Sequence, residues 1–204
     1  MIVMKNKNGL FFLTILSVFV AIIAVMCFTQ IGYLKFGIIE ITLISIPVAF
    51  GGALLGKWGG LLLGAAFGVS SFIQCFGFSA FGAALLSINP FLTFIVCLAP
   101  RMAAGFLSAF SFEKLPRKLP DAVRGLISFF IAAAMNTIGF VGLLVLFFAK
   151  TEYMQGISEQ LGATNLFMFA VLFAGVNALV EAAACTVCGA ALGPVAKKLK
   201  SQMK

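Results

Sequence analysis

The sequence contains no histidine and only six acidic residues among its 204 positions. Without histidine the chain has neither a histidine-based catalytic triad nor an imidazole base. The acids are Glu40, Glu113, Asp121, Glu152, Glu159 and Glu181, which are scattered over different segments. They form no adjacent carboxylate pair, and with histidine absent they leave no typical metal cluster. We therefore expect no enzymatic active site of these kinds.

Nucleotide-binding and cofactor motifs are also missing. No loop of the G-x-x-x-x-G-K-[ST] type occurs, so the chain does not hydrolyse ATP by that route. Among the five cysteines, Cys185 and Cys188 in "CTVC" have the spacing of metal ligands. Because no second pair or histidine accompanies them, we interpret them as small packing residues and expect no metal and no cofactor.

Charged residues of either sign are scarce, at 10% of the chain, whereas hydrophobic residues make up 62% and the mean hydropathy is +1.15. A single soluble core cannot bury so much apolar surface, so the composition indicates a membrane protein. The formal net charge of +8 comes from short Lys and Arg tracts between apolar runs. Such tracts set membrane topology, and we expect no nucleic acid partner.

Six apolar stretches are long enough to cross a hydrocarbon core of ~30 Å as helices. They cover residues 10–31, 38–56, 58–78, 90–112, 124–149 and 164–196. The sequence thus predicts an all-α integral membrane protein with one membrane domain over residues 1–204. Most Lys and Arg residues fall on one side if the N-terminus is cytoplasmic, which predicts that both termini are cytoplasmic. We interpret the first stretch as an uncleaved helix because it is too long for a signal-peptide core.

Glycines recur at every fourth position around the second and third stretches. They stand at Gly52, Gly56, Gly60, Gly64 and Gly68. Small residues at this spacing form a groove that lets another backbone approach closely. The groove either packs helices inside the bundle or docks another membrane protein. The first helix offers a second small-residue surface at Ser17 and Ala21.

Several polar residues lie near the middle of predicted membrane helices. They are Arg101, Asn136, Thr137, Asn177 and Glu181. Charged groups at this depth are costly, so they face a cavity or one another. Three interpretations remain open: an ion pair between Arg101 and Glu181 that fixes helix register, interhelical hydrogen bonds of the asparagines, and a polar substrate pocket.

The segment "QCFGFSAFGAALLSINP", residues 74–90, is too apolar for a solvated loop and too broken by glycine and proline for a plain helix. It joins the third and fourth predicted helices on the external side. Either it folds over a pocket as a lid, or it packs as a re-entrant element. Gln74 and Asn89 are the polar residues nearest its base.

Four short runs, taken in order, carry a family resemblance. They are "ITLISIPVAFGGALLGKWGGLLLGAAFGVSSF", "PRMAAG", "MNT" and "NALVE". Together they resemble the substrate-binding S component of energy-coupling factor (ECF) transporters. The resemblance implies a bacterial plasma-membrane subunit that binds a vitamin from outside and works with a transmembrane coupling protein and two ATPases. It further implies docking through small residues of the first helix, where Ser17 and Ala21 are the nearest match and Ala24 is off the spacing.

The Ile-Pro-Val run and the Gly-rich helix are most similar to the pantothenate-type S components. Pantothenate carries a carboxylate, an amide and two hydroxyls, which Gln74, Arg101, Asn136, Thr137 and Asn177 would match. Glu181 does not fit as a contact to an anion. A riboflavin, pyridoxine-like or pyrimidine vitamin therefore remains an alternative substrate. A stand-alone carrier that uses Glu181 for proton coupling, and a scaffold that binds no ligand, remain alternative functions.

Overall fold

The computed structural model describes residues 2–29, 32–36, 39–116 and 118–202, with the side chains of residues 2–8, 33–41 and 176 left aside. Helices dominate this part of the chain. They are α1 (Ile2–Phe28), α2 (Ser45–Leu55), α3 (Lys57–Gln74), α4 (Ala80–Ile88), α5 (Pro90–Lys114), α6 (Asp121–Phe148), α7 (Glu152–Gln160) and α8 (Leu166–Gln202). A short antiparallel hairpin of β1 (Tyr33–Phe36) and β2 (Ile39–Thr42) joins α1 to α2.

The second predicted helix, residues 38–56, is wrong at its beginning. Residue 38 lies outside the described residues, Ile39–Thr42 form strand β2, and the helix begins only at Ser45. The run Ile-Ile-Glu-Ile-Thr at residues 38–42 is rich in β-branched side chains, which favour a strand. Pro47 then fits the first turn of α2, where its missing N–H has no intrahelical acceptor. With eleven residues α2 is only ~16 Å long, about half of a bilayer core.

Four helices are long and apolar enough to cross a membrane in the part of the chain that the structure describes. They are Gly9–Phe28, Pro90–Lys114, Asp121–Phe148 and Asn177–Gln202. Between α2 and α3 the backbone turns at Gly56, whose φ of +84° favours glycine. The helical, multi-pass character of the chain is therefore confirmed, whereas the count of six spans stays a prediction.

The segment between α3 and α5 contains a turn and the short helix α4. The turn includes Gly77, which has a φ of +125°. Ser79 caps α4 by accepting a hydrogen bond from the Gly82 N–H at 3.2 Å. Asn89 caps α5 in the same way, with its Oδ1 3.0 Å from the Leu92 nitrogen. Both caps satisfy N–H groups that the first turn of a helix leaves unpaired.

The glycine groove of α3 packs against α5, inside the bundle. A Cβ on Gly60 would overlap the Gly105 carbonyl, and one on Gly68 would lie 2.8 Å from the Leu98 Cα. The two backbones are therefore in direct contact along most of α3, as small residues allow. This arrangement agrees with the internal-packing interpretation of the groove.

Small residues also fix the pairing of α6 with α8. A Cβ on Gly189 would lie 2.8 Å from the Phe129 Cβ, and one on Gly125 would overlap the Gly189 carbonyl. One turn away, Cys185 is fully buried in a cluster with Phe129 and Ala133. Its environment is that of a packing residue, as the sequence predicts for this position.

Opposite charges pair at one end of the bundle. Asp121 accepts from Arg124 at 3.2 Å and from Lys197 at 2.9 Å. Lys200 lies 3.5 Å from Glu113 and also donates to the Ala53 carbonyl at 3.2 Å. This is the end that the Lys and Arg distribution predicts to be cytoplasmic. The opposite end is formed by the end of α3, the start of α5, the end of α6 and the start of α8.

Candidate functional site

A cavity of about 160 Å³ lies between α3, α4, α5, α6 and α8, towards the end of the bundle opposite the ion pairs. Its apolar wall includes Phe81, Leu85, Phe140 and Phe173. A space of ~10–15 Å³ already holds one water, and a cavity of ~150 Å³ accommodates a benzene-sized molecule. The cavity is therefore of a size suited to a small molecule.

Most of the residues predicted as a binding site line this one cavity. They are Gln74, Arg101, Asn136, Thr137, Asn177 and Glu181. The remaining candidate, Asn89, lies outside it, because its side chain caps α5 ahead of Pro90. An asparagine that precedes a helix-starting proline is well suited to that local role. Whether the six lining residues bind substrate stays a prediction.

Glu181 is held by three donors from other helices. Its Oε1 accepts from the Ser45 hydroxyl at 2.5 Å and from Asn136 Nδ2 at 3.0 Å. Its Oε2 accepts from the Thr137 hydroxyl at 3.3 Å. The side chain is only 3% exposed, so these bonds replace the water that a carboxyl group requires. Glu181 thus joins α2 and α6 to α8 and orients the polar side of the cavity.

Ser45 is a site residue that our sequence prediction omits. It begins α2, two residues before Pro47, and is 3% exposed. The only signal was a single serine in the apolar run "ITLISIPVAF", where Thr42 is the other hydroxyl residue. A lone serine in such a run is usually satisfied by its own helix, so its pairing with a residue 136 positions away was not predictable.

Arg101 reaches the cavity because of the proline that precedes it. Pro100 has no N–H, so the Val96 carbonyl lacks its intrahelical donor. The Arg101 guanidinium donates to that carbonyl at 2.9 Å. It lies over the Phe140 ring, with its Cζ 4.6 Å from the centroid, and 5.5 Å from that of Phe67. These contacts hold the cation in place with a side chain only 7% exposed.

No acidic residue pairs with Arg101 within the described parts of the chain. Glu181 instead accepts hydrogen bonds from hydroxyl and amide groups. The Nε of Arg101 is buried and has no hydrogen-bond partner. An ion pair between Arg101 and Glu181 is therefore not what fixes the helices here.

Two amide oxygens at the cavity also lack partners. Asn136 Oδ1 and Asn177 Oδ1 are both buried and accept no hydrogen bond. Buried polar atoms are almost always satisfied in folded proteins, by protein groups or by water, so these oxygens are available to a donor in the cavity. Together with the Arg101 Nε, they form a set of one donor and two acceptors around the same space.

The segment that connects α3 to α5 covers the cavity on one side. Cys75, Ser79, Phe81, Gly82 and Leu85 from this segment all contribute to its wall. The ring centroids of Phe81 and Phe173 are 5.4 Å apart, which brings α4 against α8. At the base of the segment, the Gln74 amide donates to the Cys27 carbonyl near the end of α1.

The predicted docking residues lie on α1, away from the cavity. Ser17 and Ala21 are exposed and Ala24 is half-buried. The helix packs on the rest of the chain through Phe19, Ile23 and Cys27, which repeat at four-residue intervals along one face. The remaining faces are covered by apolar side chains that are open to the surroundings, as suits a peripheral helix of a membrane bundle. The docking role of these three residues stays a prediction.

A family model described as "ECF transporter, substrate-specific component" matches residues 11–192. The chain belongs to this family. It is accordingly a transporter component rather than an enzyme, and its apolar helices are those of a multi-pass membrane protein. The family resemblance of the sequence is thereby confirmed, while the pantothenate-type subtype stays a prediction. Among curated proteins none matches the chain with significance.

Proposed function

We propose that this chain is the high-affinity substrate-binding subunit of an ECF importer for a water-soluble vitamin that carries a carboxylate, with pantothenate favoured. It acts as one membrane domain with six membrane-crossing segments and both termini in the cytoplasm of a bacterial cell. The cavity, which lies towards the end of the bundle opposite the ion pairs, would then receive substrate from outside the cell. This is the direction of uptake.

The observation that carries this proposal is the unpaired Arg101. A buried guanidinium without an acidic partner is costly, and a substrate carboxylate would supply the missing charge. Arginine is well suited to this because its planar group binds a carboxylate through two N–H donors. Glu181 makes no direct ion pair with Arg101 among the described residues, and its oxygens accept from Ser45, Asn136 and Thr137.

The other polar groups complement the rest of pantothenate. Its hydroxyls and amide N–H are donors, and Asn136 Oδ1 and Asn177 Oδ1 are acceptors without partners. Its apolar backbone and methyl groups would contact the phenylalanine wall of the cavity. In this proposal Glu181 is a positioning residue, which explains why an acid is present in a site for an anion.

Energy for uptake would come from partner proteins. A transmembrane coupling protein and two ATPase subunits would bind ATP, for which this chain has no phosphate-binding loop. The exposed face of α1 that contains Ser17 and Ala21 is the surface we propose for the coupling protein. The segment from Cys75 to Asn89 would act as the lid that closes over bound substrate.

Ligand-dependent stability of the purified protein tests this proposal. Pantothenate at 100 times its dissociation constant should add about 2.7 kcal/mol to the free energy of unfolding. The matched control is the same molecule with an alcohol in place of the carboxylate, which should bind far more weakly. An equal shift with both compounds, or with none of a panel of vitamins, would contradict the assignment of Arg101.

Transport in vesicles separates the importer from a stand-alone carrier. The chain reconstituted alone should bind pantothenate without accumulating it, and accumulation should require the coupling protein, the ATPases and ATP. Accumulation by the chain alone, driven by a proton gradient and lost in Glu181→Gln, would favour the carrier instead.

A further inference from the structure

Two cysteines meet at the wall of the cavity. The sulfur atoms of Cys75 and Cys97 are 4.0 Å apart, which is close to van der Waals contact. Both residues line the cavity, although their exposed fractions are only 4% and 5%. The other three cysteines, Cys27, Cys185 and Cys188, do not line it. No disulfide joins Cys75 to Cys97 in this structure.

The position of the pair in the fold allows a bond between the sulfurs. A disulfide has an S–S length of about 2.05 Å, so the two atoms would need to approach by about 2 Å. Cys97 is fixed within α5, but Cys75 is the residue at which α3 ends and the turn towards α4 begins. Rotation of both side chains, with a small adjustment of this turn, is the movement required.

We propose that Cys75 and Cys97 form an oxidation site, in which a small peroxide that enters the cavity converts the two thiols into a reversible disulfide. One thiol loses its proton, and the resulting thiolate attacks a peroxide oxygen, which breaks the O–O bond and gives a sulfenic acid and a hydroxide that takes up this proton as water. The second thiol displaces the sulfenic hydroxyl as another water and forms the S–S bond. The two sulfurs together lose two electrons and two protons, and hydrogen peroxide is reduced to two water molecules.

The location of the pair favours this chemistry over inert packing. The cavity lies at the end opposite the paired lysines, which is the external half under the proposed orientation. Disulfides persist outside the cytoplasm, whereas thiols inside are kept reduced. Cys185 gives the contrast, because it packs within the α6 and α8 interface away from the cavity.

The bond would attach the lid segment to the helix that carries Arg101. A Cβ on Gly82 would lie 2.7 Å from the Cys75 sulfur, so α4 packs directly on this cysteine. Cys97 precedes Arg101 by one helical turn. A disulfide would therefore hold α4 on the mouth of the cavity beside Arg101 and restrict exchange of its contents. This effect does not depend on which vitamin is bound.

Oxidation of the full-length protein tests the proposal without any ligand. The purified protein is treated with hydrogen peroxide, excess reagent is removed, and remaining thiols are labelled with a maleimide before peptide mapping. We expect loss of label at Cys75 and Cys97 together, a cross-linked peptide that is lighter by two hydrogen atoms, and recovery of both thiols with dithiothreitol. Hydrogen exchange of the amides of residues 75–88 should be slower in the oxidised protein.

Matched variants make the outcome decisive. Cys97→Ser and Cys75→Ser should each abolish the cross-linked peptide, whereas Cys188→Ser should not prevent the cross-link. Irreversible oxidation of either cysteine to a sulfinic acid, a cross-link through another cysteine, or unchanged exchange at residues 75–88 would each overturn the proposal. Because no vitamin enters this experiment, its failure would leave the proposed import function unaffected.

Discussion

Arg101 and Arg124 are both buried arginines, but their surroundings differ in one respect. Each donates to a carbonyl of α5 that lacks its usual partner, because a proline stands four residues further on. Pro100 frees the Val96 carbonyl, which Arg101 takes, and Pro116 frees that of Phe112, which accepts from Arg124 at 2.5 Å. Each guanidinium also lies over a phenylalanine ring.

The difference is the acid. Arg124 pairs with Asp121 at 3.2 Å, so its charge is balanced by the chain itself. Arg101 has no such partner in the described residues, and it faces a cavity. Arg124 therefore has a structural role, because an acid of the protein balances its charge. Arg101 has no such acid in the part of the chain that the structure describes and is available to a ligand in the cavity. The Nε of each arginine is buried without a hydrogen-bond partner among the described residues, so the contrast rests on the acid and on the two asparagine oxygens at the cavity, Asn136 Oδ1 and Asn177 Oδ1.

The largest expected effect is the loss of pantothenate affinity in Arg101→Ala. Hydrogen bonds to charged groups contribute about 1.5–3 kcal/mol, so the affinity should fall by about 10- to 150-fold. Arg124→Ala is the matched control at the other end, and it should keep the affinity while the free energy of unfolding falls by a similar amount. Isothermal titration and chemical unfolding measure the two quantities. Equal loss of affinity in both variants would show that the two arginines do not differ in role.

The second effect concerns the contact between α3 and α5 that supports Arg101. A Cβ on Gly64 would overlap the Arg101 carbonyl and lie 2.9 Å from the Met102 Cα. Gly64→Ala should therefore push the helices apart and cost about 1–3 kcal/mol of stability, with weaker pantothenate binding.

Gly175→Ala in α8 is the control for this prediction. Apart from the adjacent residues and the backbone of α8 itself, no atom of the described residues lies within 4 Å of a Cβ at that position, so the substitution should stabilise the helix by up to about 1 kcal/mol. Thermal unfolding of the two variants in the same detergent compares them directly. The same sign of the change in both would contradict a specific contact at Gly64.

The cavity end and the ion-paired end of the helical bundle were not equally predictable from the sequence. Long apolar helices and the polar residues within them are visible one residue at a time, so Arg101, Asn136, Asn177 and Glu181 could be named as a possible pocket. Their grouping around one cavity follows because each lies in the half of its helix nearest the same end. Counting residues from the ends of each predicted membrane helix gives that position, and no knowledge of helix packing is needed.

What could not be predicted depends on local chemistry or on distant partners. The strand at Ile39–Thr42 was missed because an apolar β-branched run reads equally well as part of a helix. Asn89 caps α5 and lies outside the cavity, a position that the sequence does not reveal because asparagine serves in caps and in ligand sites alike. The role of Ser45 depends on a residue in α8, and the ion pairs of Asp121 depend on how α6 and α8 align. None of these partners follows from spacing in the sequence.

An effect of similar size is expected when the charge of Glu181 is removed, and a smaller one for Glu113. In Glu181→Gln one acceptor oxygen becomes an NH₂ group that faces the donors Ser45, Asn136 or Thr137. Leaving a buried donor unpaired costs about 1–3 kcal/mol, so stability should fall by this amount and pantothenate affinity with it. Glu113→Gln is the control, and its partly exposed pair with Lys200 should contribute no more than about 1 kcal/mol. If Glu181→Gln retained full stability and affinity, Glu181 would not organise the cavity.

The smallest effect should come from Lys197→Ala at the paired end. The Lys197 side chain is 58% exposed, and Asp121 retains Arg124 when Lys197 is removed. Water and salt weaken such a pair, so we expect a loss of about 0.2–1 kcal/mol at low salt that disappears as ionic strength rises. Lys198→Ala, which removes the neighbouring charge but no ion pair of the described residues, should show no loss. Unfolding measured at two salt concentrations distinguishes the variants. A salt-independent loss as large as that of Arg124→Ala would mean that every charge at the ion-paired end is needed for stability. The contrast between Arg124 and Arg101 would then rest only on the cavity that Arg101 faces.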